Sequence, residues 1–220
     1  MPRVDAVLFD LDGTLVDSAP DLAGAANDMR IARSLAPLPY AALRPMVGTG
    51  ARGMVGVAFD RKPGDAGYEL LREEFLQRYE ERLLRETLVF DGMHAALTTL
   101  ERLVMPWGIV TNKAMRYAQP LTLGLGLHAR AAVLVAGDTT AHAKPHPAPL
   151  LAAAERIGVA PDRCVYVGDD ERDVVAGRAA GMSTLVAAWG YLGLGAAMHE
   201  WGADAVIADP QALLNWLDLA

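Results

Sequence analysis

Short apolar runs, most of them rich in β-branched residues, recur along the chain at 4–9, 107–110, 133–136, 164–167, 184–188 and 205–207, and polar or glycine-containing residues stop each one. Stretches of helical period lie between them, at 93–103, 114–124, 147–157 and 171–180, with a last one at 211–217. This alternation predicts an α/β fold: a Rossmann-like parallel sheet with helices on both faces.

One interval breaks the rhythm. Residues 17–86 hold no strand pattern, and their apolar spacing predicts helices at 19–33, 40–46, 51–58 and 66–86, with Pro37 and Pro39 marking the first join. The last helix is expected to place Leu70, Leu71, Phe75, Tyr79 and Leu83 on a single apolar face. The chain thus divides into a core of 1–16 and 87–220 and a small helical insertion of 17–86.

Composition limits the function classes. The 220 residues are 52% hydrophobic and 21% charged, with glycine and proline dispersed, as in an ordinary folded globule. The net charge of -7 would repel a polyanion, and the basic residues of 61–85 are interleaved with glutamates as on a solvated helix face, so nucleic acid is not expected as a partner. Cys164 is the single cysteine, so no internal disulfide forms, and its neighbours suggest a buried strand thiol. Aspartates at positions 5 and 10 leave no room for a leader's apolar segment, and no run of about 18 apolar residues follows. A soluble cytoplasmic protein, monomer or homodimer, without a membrane partner, is the expectation.

In an open parallel sheet, ligands bind beyond the carboxyl ends of the strands. There the sequence places Asp10-Leu11-Asp12-Gly13-Thr14-Leu15, then Thr111-Asn112-Lys113, then Lys144-Pro145, then Gly168-Asp169-Asp170-Glu171-Arg172-Asp173. In these segments the lysines set against Asp10, Asp12, Asp169 and Asp173 are Lys113 and Lys144, and two like charges about 4 Å apart repel by about 4 kcal/mol at an effective dielectric of 20. So crowded a set of carboxylates calls for a cation. Hard oxygen donors without paired Cys or His favour Mg²⁺ over zinc.

These four motifs, in this order, resemble those of the haloacid dehalogenase-like phosphatases. The resemblance implies a Mg²⁺-dependent phosphomonoesterase working through an aspartyl-phosphate, with Asp10 the nucleophile and Asp12 the general acid and base. Thr111 and Asn112 would bind phosphate, and Lys144 would steady both nucleophile and phosphate. Asp10, the Asp12 backbone carbonyl and Asp169 would hold the metal, with Asp173 and Asp170 supporting them. The helical insertion is similar to the family's cap, which covers the site and selects substrates. Val47-Gly48-Thr49-Gly50-Ala51-Arg52 resembles the cap loop of the phosphoglycolate phosphatase branch, with Gly50 close to substrate and Arg52 gripping its carboxylate. Gly50-Ala51-Arg52-Gly53-Met54-Val55 and Trp201-Gly202-Ala203-Asp204 also resemble N-acetylmuramate 6-phosphate phosphatases of cell-wall recycling. Either substrate is a small phosphorylated metabolite bearing a carboxylate.

Other readings fit less well. Asp-x-Asp-Gly alone is often a solvated turn, but the three companion motifs argue against that here. Gly48–Gly53 matches G-x-G-x-x-G without the preceding strand that a dinucleotide-binding enzyme needs. A dehalogenase would not need Asp12, and a sugar phosphomutase of this group usually resembles Asp-Gly-Val where this chain has Asp12-Gly13-Thr14. The scattered histidines, and His146 near the Lys-Pro motif, are given no role.

Overall fold

Along the first strand, Val7 and Phe9 enter one apolar layer while Ala6 and Leu8 enter the layer on the opposite face. That period of two is what a strand covered on both sides requires. The computed structural model describes residues 4–219; Met1, Pro2 and Arg3, on which the reading of the N-terminus partly rests, lie outside the described residues.

In chain order the elements are β1 (Ala6–Phe9), β2 (Val16–Asp17), α1 (Ala19–Ile31), α2 (Tyr40–Leu43), α3 (Gly50–Phe59), α4 (Tyr68–Arg82), β3 (Leu88–Val89), α5 (Met93–Arg102) and β4 (Trp107–Val110). Then follow α6 (Met115–Gly124), β5 (Val133–Val135), α7 (Ala148–Ile157), β6 (Cys164–Gly168), α8 (Glu171–Ala179), β7 (Ser183–Ala187), β8 (Ala205–Ile207) and α9 (Pro210–Trp216). The six-stranded sheet has the order β5-β4-β1-β6-β7-β8, and every pairing in it is parallel. α5, α6 and α9 pack into one layer and α7 and α8 into the other. The chain leaves β1 first toward β4 and later toward β6, so the crevice at the end of β1 is where the strand order reverses. Each core element expected from the sequence is present, with ends shifted by at most two residues.

Two expectations change. Leu70 is 78% exposed, whereas Tyr68, Phe75 and Tyr79 are buried. At about 100° per residue, Leu71, Phe75 and Tyr79 share a stripe, and Leu70 falls beside it. The first residue of the supposedly strand-free insertion, Asp17, lies in β2, which pairs antiparallel with β3 just beyond the insertion's end, Val16 opposite Val89 and Asp17 opposite Leu88. Two-residue strands are too short to show a period.

The ribbon forms a neck between the sheet and α1–α4. Beside it, the buried Asp21 carboxylate accepts from the Glu86 and Thr87 main-chain N–H groups at 3.0 and 2.9 Å and from Thr87 Oγ1 at 2.8 Å. Arg82 binds Asp28 at 2.9 Å, tying the end of α4 to α1.

Candidate active site

The end of β1 delivers Asp10 between the loops after β4 and β6, because β1 pairs with both strands. Lys144 Nζ lies 2.8 Å from Asp10 Oδ1, 2.7 Å from Asp173 Oδ1, 2.7 Å from Tyr166 Oη and 3.1 Å from the Val110 carbonyl. Burial opposes the charge of Lys144, but Asp10 and Asp173 outweigh it and hold the ammonium above its usual range. Burial pushes Asp10 the other way, up to about 6; Lys144 opposes that rise and Asp173 adds to it. Asp169 is driven well above the ordinary carboxylate range, first by burial and then by Asp10 and Asp173. Two acids therefore share one ammonium, with Asp169 close against them.

Asp10, Asp169 and Asp173 each bring a carboxylate oxygen within 4.8 Å of the others, a set of hard donors able to hold a divalent metal. Asp169 is locked by Thr14 Oγ1 at 3.2 Å on Oδ1 and by the Tyr191 N–H at 2.7 Å on Oδ2. Gly13 must be glycine: its φ is +88°, and a Cβ there would sit 2.1 Å from Asp169 Oδ2. Asp173 belongs to this trio of clustered carboxylates. Asp170 does not: it caps α8, accepting from the Arg172 N–H at 2.9 Å and from the Arg172 guanidinium at 2.7 and 2.8 Å. Burial would raise the Asp170 pKa, yet the guanidinium prevails and lowers it. Arg172 also donates to the Gly48 carbonyl, joining α8 to the insertion.

Asp12 faces elsewhere. Its Oδ1 accepts from Ser18 Oγ at 2.5 Å and from Lys113 Nζ at 2.8 Å, and the same ammonium donates to Tyr79 Oη of α4 at 2.8 Å. Burial works against the Lys113 charge, but Asp12 and Tyr79 outweigh it and hold the ammonium above its usual range. Burial likewise raises the Tyr79 phenol to about 12 against the pull of Lys113.

Thr111 is buried at the end of β4, and its Oγ1 accepts from the Lys113 N–H at 3.1 Å, which leaves the hydroxyl proton to donate. The Asn112 carboxamide is hydrogen-bonded to the main chain of Lys144. Nδ2 donates to the Lys144 carbonyl and Oδ1 accepts from the Lys144 N–H, both at 2.9 Å.

These groups open on a cavity of about 500 Å³ between sheet and insertion. Asp10, Asp12, Thr111, Asn112, Lys144, Asp169 and Gly50 line it, as do Tyr79, Lys113, Arg72 and Arg116. Arg52 does not. It is exposed in a separate depression with Arg61 and Lys62, because α3 begins at Gly50 and its first turn carries residue 52 away from the cavity. The hydroxyls of Tyr166, Tyr191, Ser18 and Tyr79, none of them expected at the site, all form hydrogen bonds around it. In β6, Tyr166 reads as one more apolar position, and only its phenol hinted at more.

A parallel sheet whose strand ends gather carboxylates and two lysines at a cavity shared with a helical insertion is the arrangement of a class of hydrolase. The haloacid dehalogenase-like hydrolase model matches residues 4–181, and the chain belongs to that family. A phosphoglycolate phosphatase of Xanthomonas campestris is 51% identical over 208 residues, 94% of each chain. An N-acetylmuramic acid 6-phosphate phosphatase of Pseudomonas aeruginosa is 40% identical over 218 residues, 99% of this chain and 96% of its own. Among solved structures, a "predicted phosphoglycolate phosphatase" from Haemophilus somnus is similar with a TM-score of 0.86 at 25% identity, covering 98% of this chain and 99% of that one. Within the family, the chain is a phosphatase. No helix among the described residues is long and apolar enough to cross a membrane.

Proposed function

We propose that the protein hydrolyses a small phosphomonoester in two steps through a phosphoryl group carried on Asp10. The observation that carries this reading is the Lys144 ammonium, 2.8 Å from Oδ1 of a cavity-lining Asp10. That contact holds the carboxylate and leaves Oδ2 as the nucleophile. In the first step the Asp10 oxygen forms a bond to phosphorus as the ester P–O bond breaks, and Asp12 gives its proton to the departing alkoxide. In the second step Asp12 takes a proton from water, whose oxygen displaces the Asp10 carboxylate and releases phosphate. Thr111 Oγ1 is a donor for the phosphate oxygens, and the Lys144 ammonium, whose three N–H groups are already engaged, offsets their charge.

The all-carboxylate donor set fits Mg²⁺. Asp10, Asp169 and the Asp12 main-chain carbonyl would hold it, with Asp173 beside them. When bound, it supplies the positive charge that lets an anionic carboxylate meet a phosphate dianion.

For the substrate, 2-phosphoglycolate is the first reading, converted to glycolate and phosphate; support comes from the Xanthomonas relative. A second reading, N-acetylmuramate 6-phosphate, is favoured by the cavity. Its volume of about 500 Å³ lies in the roughly 300–1,000 Å³ range of pockets that enclose drug-sized ligands, and Leu22, Val47, Phe75, Leu76 and Tyr117 give it an apolar wall. A two-carbon acid phosphate would fill little of it.

Phosphate release with Mg²⁺ from both compounds and from a panel of sugar phosphates, with a chelator control, tests the reading. We expect a carboxylate-bearing ester to lead in kcat/KM and Asp10→Asn to be inactive. Turnover by Asp10→Asn at the wild-type rate would refute the mechanism.

A further inference from the structure

We propose that Lys113 is a positioning residue that braces Asp12, and that Tyr79 makes the brace depend on a seated cap. The inference rests on the reading of Asp12 as the proton-transferring group. Lys113 Nζ reaches Asp12 Oδ1 and Tyr79 Oη, each at 2.8 Å, and lies 4.7 Å from the centre of the Tyr79 ring. Asp12 follows β1 and Lys113 follows β4 in the core, whereas Tyr79 belongs to α4 of the insertion. The three groups are therefore joined only while α4 lies against the core. Tyr117 of α6 fixes that docking, with its ring centre 5.7 Å from that of Tyr79.

Stability alone does not account for the arrangement. The Lys113 and Asp12 side chains are 8% and 17% exposed, and a pair so withdrawn from water recovers little more in mutual attraction than desolvation costs. What the pair does provide is direction. Ser18 Oγ and Lys113 Nζ both bind Oδ1, so Oδ2 is the oxygen left for the proton, and the ring of partners stops the carboxyl from turning about its own axis. An ammonium only donates. Tyr79 must then accept from it, which keeps the phenol proton for an acceptor in the cavity that Tyr79 lines. Lifting the cap would remove one of the two acceptors that fix the Lys113 ammonium and loosen its hold on Asp12.

A residue acting through Asp12 has nothing left to act on once Asp12 cannot transfer a proton, and a double-mutant cycle reads this directly. The cycle uses Lys113→Met, Tyr79→Phe and Asp12→Asn, singly and combined, with Mg²⁺ and the best alkyl phosphomonoester found for the wild type. With a functioning Asp12 we expect Lys113→Met to lower kcat about 100-fold, within the span of roughly 10²–10⁴ for acid–base catalysis, and Tyr79→Phe about 10-fold. In the Asp12→Asn background each should cost less than about threefold. Losses that multiply fully in that background would overturn the proposal, since Lys113 would then be touching substrate or supporting the fold. Circular dichroism identifies a Lys113→Met variant that does not fold, in which case Tyr79→Phe, which removes only a hydroxyl, carries the same comparison. A wild type inactive on every phosphomonoester would instead refute the proposed function.

Discussion

The side-chain amide of Asn112 grips the main chain of Lys144 at both ends, with two hydrogen bonds of 2.9 Å. The lysine that steadies Asp10 is thereby held from the neighbouring strand end as well as by its own loop. Each such bond contributes about 1 kcal/mol net. Asn112→Ala should lower stability by about 2 kcal/mol and kcat by roughly 10- to 100-fold, since small misplacements of catalytic groups are costly. Thermal melts and steady-state kinetics check both; a variant with full activity would show that Lys144 needs no such anchor.

Arg52→Ala should leave kcat/KM within about twofold of wild type for carboxylate-bearing substrates, because its side chain lies outside the catalytic cavity. Arg72 and Arg116 do line that cavity. Replacing either with alanine should raise KM by about 10-fold, worth about 1.4 kcal/mol, with little change in kcat. A large loss in Arg52→Ala alone would mean that the cap rearranges around substrate.

The crowded carboxylates make the metal-free protein sensitive to pH. Burial holds the Asp10 pKa at about 6, above the ordinary 3.8, so the folded state binds this proton more tightly than the unfolded chain. The contribution is fully present below about pH 3.8 and is lost as pH rises through about 6, a change of roughly 3 kcal/mol. In chelator, melts at pH 5 and pH 7.5 should show Asp10→Asn reducing the loss of stability between the two. Mg²⁺ should restore wild-type stability at pH 7.5 by binding the folded state. Equal pH slopes in the two proteins would contradict this.

Arg172 joins Asp170 of the core to the Gly48 carbonyl of the insertion. Arg172→Ala should free the cap loop, raising KM about 3- to 10-fold while kcat changes less. Faster amide hydrogen exchange across residues 44–50 would report the loosening. Unchanged exchange would show that the cap is held by its other contacts.

How far the sequence reaches depends on the distance over which each feature is set. The six strands and their helices were legible because burial on both faces imposes a period on neighbouring residues, as in Ala6–Phe9. The strand ends carrying Asp10, Thr111, Lys144 and Asp169 were legible for the same reason, together with the motif spacing. Positions 16–17 and 88–89 were not, since two residues cannot display a repeat.

The sequence by itself determined the architecture and which reactive residues the loops would bring to one rim, for both follow from local backbone pattern. Only the tertiary structure decided where those side chains point. Asp12 turned to Lys113, Asn112 was spent on the Lys144 backbone, Asp170 paired with Arg172, and Arg52 faced away from the cavity. Three of these outcomes come from partners distant in the chain or from the rotation of one helical turn, and the Asp170 pairing from its N-cap place at the start of α8, where Arg172 lies two positions on. No local period encodes such choices; a side chain settles where hydrogen bonding and charge best repay its burial.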